Sequence, residues 1–325
     1  MSISITRIRT ATADEWDLIW QECDYATYFH SREWAEIWNV YTKGKMRPEP
    51  KLILFSDGKK ALLPLSSQKR FKGLGKQYIS SPAGTFGGWI CVDQLDVKHA
   101  NLLVDFLSNK LGNLYWRMNP YDQLALKLGL INSQDDETHT IKLQVEFEAI
   151  YKKWSRGHKS ATKKAKKAGF LVKTASTLDD WSHYYQVYED SLRRWGDKAS
   201  SKYEWELFND IFQRHSANTK LWLAIYQEQV VSGILCFYAK KHVVYWHGAT
   251  LEDFFHLRPV NLLMYESIKD ACEQKYDCFD FNPSGGHEGV KEFKQRFGSE
   301  ALSCPIVTAE DSITRVLAAV KSKLR

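Results

Sequence analysis

Two strands of this chain run into the same dipeptide. Leu114-Tyr-Trp-Arg-Met118 meets Asn119-Pro120, and Tyr276 to Phe281 meets Asn282-Pro283. Each closes the same succession of elements, and that repeated order limits the fold more than any single motif does. In the first half, Ile3-Ser4-Ile5-Thr6 alternates as a strand does. Thr12 with Glu15 then forms a capping box ahead of a helix carrying Trp16, Ile19 and Trp20. Ser31 caps a second helix bearing Trp34, Ile37, Trp38 and Tyr41. Leu52–Phe55 and Ala61–Leu65 read as a hairpin around Asp57-Gly58, a pair suited to a type I′ turn. A helix from about Gln94 to Leu111 leads into the strand at 114. The second half predicts helix 147–168, strand 170–174, helices 178–195 and 202–215, and a hairpin 221–226/230–238. A strand 242–250, a helix opened by Pro259 and the strand ending at Asn282 complete it. The pattern predicts two similar α/β halves, 1–146 and 147–325, dividing after the strand Thr140 to Val145.

A chain of 325 residues has room for two such units at roughly 150 residues per domain. Its 44 % apolar and 26 % charged residues exclude a disordered or fibrous protein. Six cysteines without CxxC spacing argue against a zinc ribbon or a disulfide-stapled miniature. No apolar run approaches the ~18 residues of a membrane span, and the N-terminus lacks the apolar stretch of a signal peptide. The expected setting is the cytoplasm.

Charge is unevenly placed. Nine Lys or Arg and no acid lie between Glu148 and Asp179, so this stretch carries +9 and the remainder −3 of the net +6. It reads either as a solvated helix face or as a docking surface for a phosphate-rich partner: a nucleotide-linked sugar, a coenzyme, tRNA or an anionic membrane. Arg156-Gly-His158 stands at its start. A second motif, Leu257-Arg-Pro-Val-Asn261, follows a strand and opens a helix. Proline at the first helical position costs no hydrogen bond, and the neighbouring N–H groups form an anion site beside Arg258. The third is Tyr276 to Gly298: a buried strand delivers Asp280 and Asn282 to its end, and a Ser284-Gly-Gly286 loop turns into a helix with Phe293 and Phe297 on one face. Lys291, Lys294 and Arg296 cannot all share that face. Gly73-Leu-Gly-Lys76 lacks P-loop spacing, no GxSxG elbow is present, and the histidines show no metal-ligand spacing.

Phe29-His-Ser-Arg-Glu-Trp34, Ser81-Pro-Ala-Gly-Thr-Phe-Gly-Gly88, Trp154-Ser-Arg-Gly-His-Lys159, Leu257-Arg-Pro-Val-Asn-Leu-Leu263 and Phe279-Asp-Phe-Asn282 with Phe293-Lys294 and Phe297-Gly298 occur in one order. Together they resemble the FemAB/FemX-like transferases of the GNAT acyltransferase superfamily. The resemblance implies an α/β (α+β) fold of two tandem GNAT-like subdomains, each a mixed sheet flanked by helices, with the main cleft in the second. It implies acyl transfer to an amine, with acyl-CoA or aminoacyl-tRNA as donor co-substrate and no permanently bound cofactor. Leu257 to Asn261 replaces the glycine-rich pyrophosphate loop of ordinary GNAT enzymes, and the helices between 178 and 215 are too short for the coiled-coil arm of several Fem proteins.

Such a transfer needs a neutral amine, a carbonyl held within about 3–3.5 Å and fixed donors for the oxyanion. By its match to the family's Phe-Lys, Lys294 is expected to stabilise the oxyanion or the donor's phosphate. His287 or Glu288 relays the proton as general base, and Asp280 and Asn282 orient the amine. Arg258 and Asn261 hold phosphate; Arg156 and Lys159 hold a second anionic group, with Lys291 nearby. His247 reads as a core or cleft histidine rather than a base. The first function expected is an acyl-CoA-type N-acyltransferase acting on an amine of an envelope or polysaccharide precursor. Aminoacyl-tRNA-dependent transfer is the second, and a non-enzymatic module binding nucleic acid or anionic lipid the third.

Overall fold

A computed structural model describes residues 2–70, 75–128, 133–196, 199 and 202–310. Gly73 and Leu74 of the rejected P-loop segment lie outside the described residues. The chain forms two compact units. One comprises the described residues up to Glu137 plus the strand Ile306–Ala309, and the other runs Thr138–Leu302.

The first unit contains β1 (Ile5–Thr10), α1 (Ala13–Glu22), α2 (Arg32–Tyr41), β2 (Met46–Pro48), β3 (Lys51–Phe55), β4 (Lys60–Leu63), β5 (Ser66–Arg70), β6 (Gly75–Ile79), α3 (Val97–Asp105), β7 (Asn113–Arg117), α4 (Gln123–Leu126) and β8 (Ser133–Gln134). The expected caps form. Thr12 and Glu15 close a capping box on α1, and Ser31 accepts from the Trp34 N–H of α2 at 3.1 Å. The β3–β4 hairpin forms with a different turn. Only Gly58 is left-handed, at φ +86°, and its N–H donates to Phe55 O at 3.1 Å, so a type I turn followed by a left-handed glycine replaces type I′. Pro64 interrupts the strand expected over Ala61–Leu65. Lacking an N–H, it ends β4 and lets β5 start a second sheet. The unit therefore has a three-stranded sheet, β1-β3-β4, and a six-stranded sheet in which β2-β5-β6-β7 continue through Ile306–Ala309 to β8. The Ser81–Gly88 loop is a packed turn. Ser81 Oγ donates to Phe29 O, and Trp116 Nε1 donates to Gly87 O; a Cβ on Gly87 would stand 2.6 Å from the Ser80 backbone.

The second unit contains β9 (Glu137–Lys142), α5 (Phe147–Lys153), α6 (Arg156–Ala168), β10 (Leu171–Thr174), α7 (Leu178–Trp195), α8 (Trp205–Gln213), β11 (Thr219–Tyr226), β12 (Gln229–Tyr238), β13 (His242–Thr250), α9 (Pro259–Glu273), β14 (Cys278–Asp280), α10 (Glu288–Gln295) and β15 (Glu300–Ser303). Its seven strands run in the order β10-β11-β12-β13-β14-β9-β15. The helix expected over 147–168 is two helices. Trp154 and Ser155 are extended, Ser155 accepts from His158 N–H to start α6, and Trp154 is buried edge-on to Phe297 at 4.7 Å. Each unit contains one parallel strand pair joined through a helix, β6–α3–β7 and β13–α9–β14, and the strand after each helix ends at Asn-Pro.

The units divide before β9, whereas the sequence suggested a boundary near 146. The strand assigned to the end of the first half pairs with β14, Ile141 opposite Phe279, while Ile306–Ala309 pairs with β7. These long-range hydrogen bonds have no local sequence signal.

Candidate active site

The parallel pair at the centre of the second sheet opens part-way along. Among the described residues, the strand register of β13 with β14 runs from His242 to Val244, opposite Cys278 to Asp280, and stops where β14 ends. β14 then turns away through Asn282 at φ +61°. β13 also carries a bulge. Leu235 of β12 faces His247 and Cys236 faces Tyr245, so Trp246 is the extra residue. The bulge turns Trp246 and His247 to one side of the sheet, where both meet the Tyr203 ring, at 5.3 and 6.1 Å. Tyr245 belongs to the core cluster of α5 and α9. The result is a wedge between β13 and the end of β14, a place where a sheet can admit a ligand without losing its own hydrogen bonds.

At the end of β14 three of the expected site residues converge. Asp280 is fully buried; its Oδ1 accepts from Thr138 Oγ1 at 2.5 Å and from the Asn282 N–H at 2.6 Å. Lys294 of α10 is 3 % exposed, and its Nζ donates to the Asn282 main-chain oxygen at 2.6 Å. Asn282 is thus gripped at both its N–H and its carbonyl. Its own side-chain Oδ1, like Ser284 Oγ two residues on, is buried without a hydrogen-bond partner among the described residues. Buried polar atoms are nearly always paired, so such atoms mark places where a ligand or water belongs.

A second group gathers where α6, α9 and α10 meet. Arg258 is exposed and left-handed, φ +64°, immediately before Pro259. The Asn261 N–H is taken by the Arg258 carbonyl at 3.1 Å, so part of the expected anion site at this helix start is already used. Asn261 O accepts from Thr162 Oγ1 at 3.4 Å, while Asn261 Nδ2 is buried and has no hydrogen-bond partner among the described residues. One turn earlier on α6, His158 Nε2 lies 3.0 Å from Phe293 O, and the ring packs on Phe293 and Phe297 at 5.0 and 4.3 Å. Burial holds His158 below the usual histidine value against the pull of the Phe293 carbonyl, and the charges of Arg296 and Arg258 add to it. His158 therefore links the Arg258 end of α9 to α10, which carries Lys294. Arg156 lies exposed at the first position of α6.

Other expected residues fall outside these groups. Lys159 Nζ caps the Lys152 carbonyl at 2.7 Å. His287 and Glu288 are exposed at the start of α10, after the left-handed Gly285 and Gly286, and Lys291 is half-buried on the same helix. The sequence reading missed Thr138, 142 positions from the carboxylate it serves, and Tyr184, and it took His158 only as part of the Arg156-Gly-His158 helix start, without a role for its ring. Among the described residues no group of His, Cys, Asp and Glu is arranged to hold a metal ion, and no helix is long and apolar enough to cross a membrane.

Residues 152–295, spanning α6 to α10 with the wedge and both groups, match the acetyltransferase (GNAT) domain family. The second unit is a GNAT acyltransferase domain. Around this GNAT domain the whole chain has the fold of FemX, with a TM-score of 0.71 at 14 % identity, over 93 % of this chain and 96 % of that one. Two further solved structures share the fold. The C-terminal domain (DUF2156) of a putative lysylphosphatidylglycerol synthetase from Agrobacterium fabrum matches with TM-score 0.60 at 11 % identity, over 96 % of this chain and 97 % of that one. L-PGS from Bacillus licheniformis matches with TM-score 0.59 at 11 % identity, over 97 % and 98 %. Comparison with curated proteins gave no match. The tandem GNAT-like architecture and the acyltransferase class implied by the sequence both stand.

Proposed function

We propose that this protein moves an acyl group from an acyl-CoA-type donor to an amine of an envelope or polysaccharide precursor, in the cytoplasm, and that the chemistry takes place in the wedge between β13 and β14. The observation that carries the reading is the double grip on Asn282, which leaves its Oδ1 unpartnered at the strand end. An acceptor-only oxygen there suits an incoming amine, which must donate an N–H while keeping its lone pair for the carbonyl. Ser284 Oγ supplies a second polar contact. Asp280 acts through Asn282, whose N–H its Oδ1 holds together with the Thr138 hydroxyl. Lys294, expected from the sequence to meet the oxyanion, serves instead as the charged anchor behind Asn282.

Arg258, Arg296 and Arg156 surround the start of α6 with positive charge. A donor phosphate fits there, with the Asn261 amide as a neutral partner. His287 or Glu288, exposed on the glycine-flanked loop before α10, takes the proton released by the amine. No enzyme nucleophile is needed for direct transfer between donor and amine.

A second reading, transfer from aminoacyl-tRNA, is supported by α6 itself. Lys163, Lys164 and Lys167 are exposed on that helix, and a nucleic-acid backbone is the partner that uses such a row. A thermal-shift and turnover panel separates the readings. Acetyl-CoA or a longer acyl-CoA is expected to raise the melting temperature and to support acylation of a UDP-amino sugar or similar amine. Activity that requires aminoacyl-tRNA and disappears with RNase replaces the first reading by the second.

A further inference from the structure

We propose that His247 presents a neutral Nε2–H donor to the wedge, fixed in that tautomer by Tyr184, and that it binds the carbonyl oxygen of the transferred acyl group. Tyr184, on α7, has no solvent exposure, and its hydroxyl lies 2.6 Å from His247 Nδ1. That is the only hydrogen bond of the Tyr184 hydroxyl among the described residues. If Nδ1 carried the proton and donated to the phenol oxygen, the phenol's own proton would be buried without an acceptor. The arrangement that pairs every group has the phenol donating to Nδ1, and the imidazole proton then resides on Nε2.

The surroundings keep the ring neutral. Tyr184, Tyr188, Tyr203, Phe208 and Trp246 all place rings within 4.4 to 6.1 Å of the His247 centroid. No acidic side chain pairs with it among the described residues, and burial lowers its pKa to about 3. Yet His247 is only half-buried by surface, and Nε2 has no partner among the described residues. The ring is enclosed by aromatics yet still reached by solvent, and its second ring nitrogen, the N–H of this tautomer, is left for a ligand. A nitrogen that already holds its proton cannot serve as a base. It can donate to an oxygen whose negative charge grows during the reaction.

The placement is built into the sheet. The bulge at Trp246 turns His247 toward α7, and Gly233 on the neighbouring strand makes room for Tyr184, since a Cβ there would lie 2.4 Å from the ring. His247 touches the substrate in this scheme, while Tyr184 is a positioning residue.

The tautomer does not depend on the acyl-transfer reading, whereas the carbonyl contact rests on it, and the experiment keeps them apart. Full-length protein labelled with 15N-histidine is examined by long-range 15N–1H correlation, the His247 signals being assigned by their loss in His247→Gln. The expected pattern is a neutral Nε2–H imidazole, unchanged from pH 5 to 8, that becomes a mixture of tautomers in Tyr184→Phe. A Nδ1–H pattern in the unmutated protein, or an imidazolium forming near pH 6, overturns the proposal. Kinetics then use whichever donor of the panel turns over. His247→Gln, whose amide still donates, is expected to stay within a few-fold of wild type, and His247→Ala to lose about 100-fold in kcat, the usual effect of removing one such donor. Equal kcat for the two variants removes the carbonyl contact. If no donor turns over, the acyl-transfer reading fails with it, and the spectrum alone decides the tautomer.

Discussion

The ammonium of Lys294 lies 2.6 Å from the main-chain oxygen of Asn282, inside a unit where it is 3 % exposed. The same Asn282 gives its N–H to Asp280 on the other side. A buried charge is costly, and here it fixes one strand-end residue in a left-handed conformation at the mouth of the wedge. Replacing Lys294 by Met keeps the volume and leaves the carbonyl unpaired. The expected cost is about 1–3 kcal/mol of stability, read from urea unfolding. Acylation is expected to fall more steeply than stability, because Asn282 loses its hold. Full activity in Lys294→Met would detach the strand end from the reaction.

Asn282 itself separates backbone from side chain. Its φ of +61° is a conformation that costs a typical side-chain-bearing residue about 1–2 kcal/mol and glycine nothing. Asn282→Gly is therefore expected to keep the melting temperature, and Asn282→Ala to lower it. Both lose the Oδ1 acceptor, so both should lose turnover by about tenfold or more. A glycine variant as active as wild type would leave the unpaired oxygen without a role.

Arg258 allows the same separation at the donor end. It is exposed, left-handed at φ +64°, and sits before Pro259, so glycine replaces it without strain. The expected result for Arg258→Gly is an unchanged melting temperature, a KM for the phosphate-bearing donor raised about three- to tenfold, and a nearly constant kcat. A fall in kcat at constant KM would place Arg258 at the reacting atoms instead.

What the sequence disclosed and what it concealed divide by range. Thr12, Ser31 and Pro259 act on residues within one helical turn, and all three open helices where their patterns suggest. Pro64 and Ser155 carried equally local signals against an unbroken strand and an unbroken helix, yet the apolar run around the first and the basic run after the second obscured them. The candidate site was readable as segments, with Asp280, Asn282 and Lys294 within a short stretch of chain. Its interior was not. Thr138 reaches Asp280 only because β9 crosses into the second sheet, and Tyr184 meets His247 across 63 positions. Pairs like these are set by strand order and helix packing, which no local pattern encodes.

Gly233 tests how tightly that interior is built. On β12 it faces Tyr184, and an added methyl would meet the ring at 2.4 Å. Tyr184 is held by α7 below and by His247 at its hydroxyl, so the ring cannot move without breaking the 2.6 Å bond. Gly233→Ala is expected to cost about 1–3 kcal/mol through overpacking, measured by chemical unfolding. A double variant, Gly233→Ala with Tyr184→Leu, should recover much of that loss. Recovery would identify the ring as the obstacle.

Glu15 gives the first unit an acid-sensitive cap. Its carboxylate binds the Arg9 guanidinium, with Nη1 at 2.7 Å, and accepts from the Thr12 N–H at 3.0 Å. Arg9 first and the Thr12 N–H second hold its pKa at about 2, below the ordinary 4.5. A carboxylate whose pKa is lowered by folding stabilises the native state fully above its unfolded value and loses that contribution as pH falls toward its folded one. Glu15→Gln should therefore lower stability at pH 7 by about 1 kcal/mol, the usual worth of a helix cap. The gap between the two proteins should narrow steadily from pH 5 to pH 3 in parallel urea titrations, because the wild-type carboxylate gives up its advantage while the amide has none to lose. A gap that stays constant across this range would mean that the cap acts through shape and hydrogen bonding alone, with no contribution from the charge on Glu15.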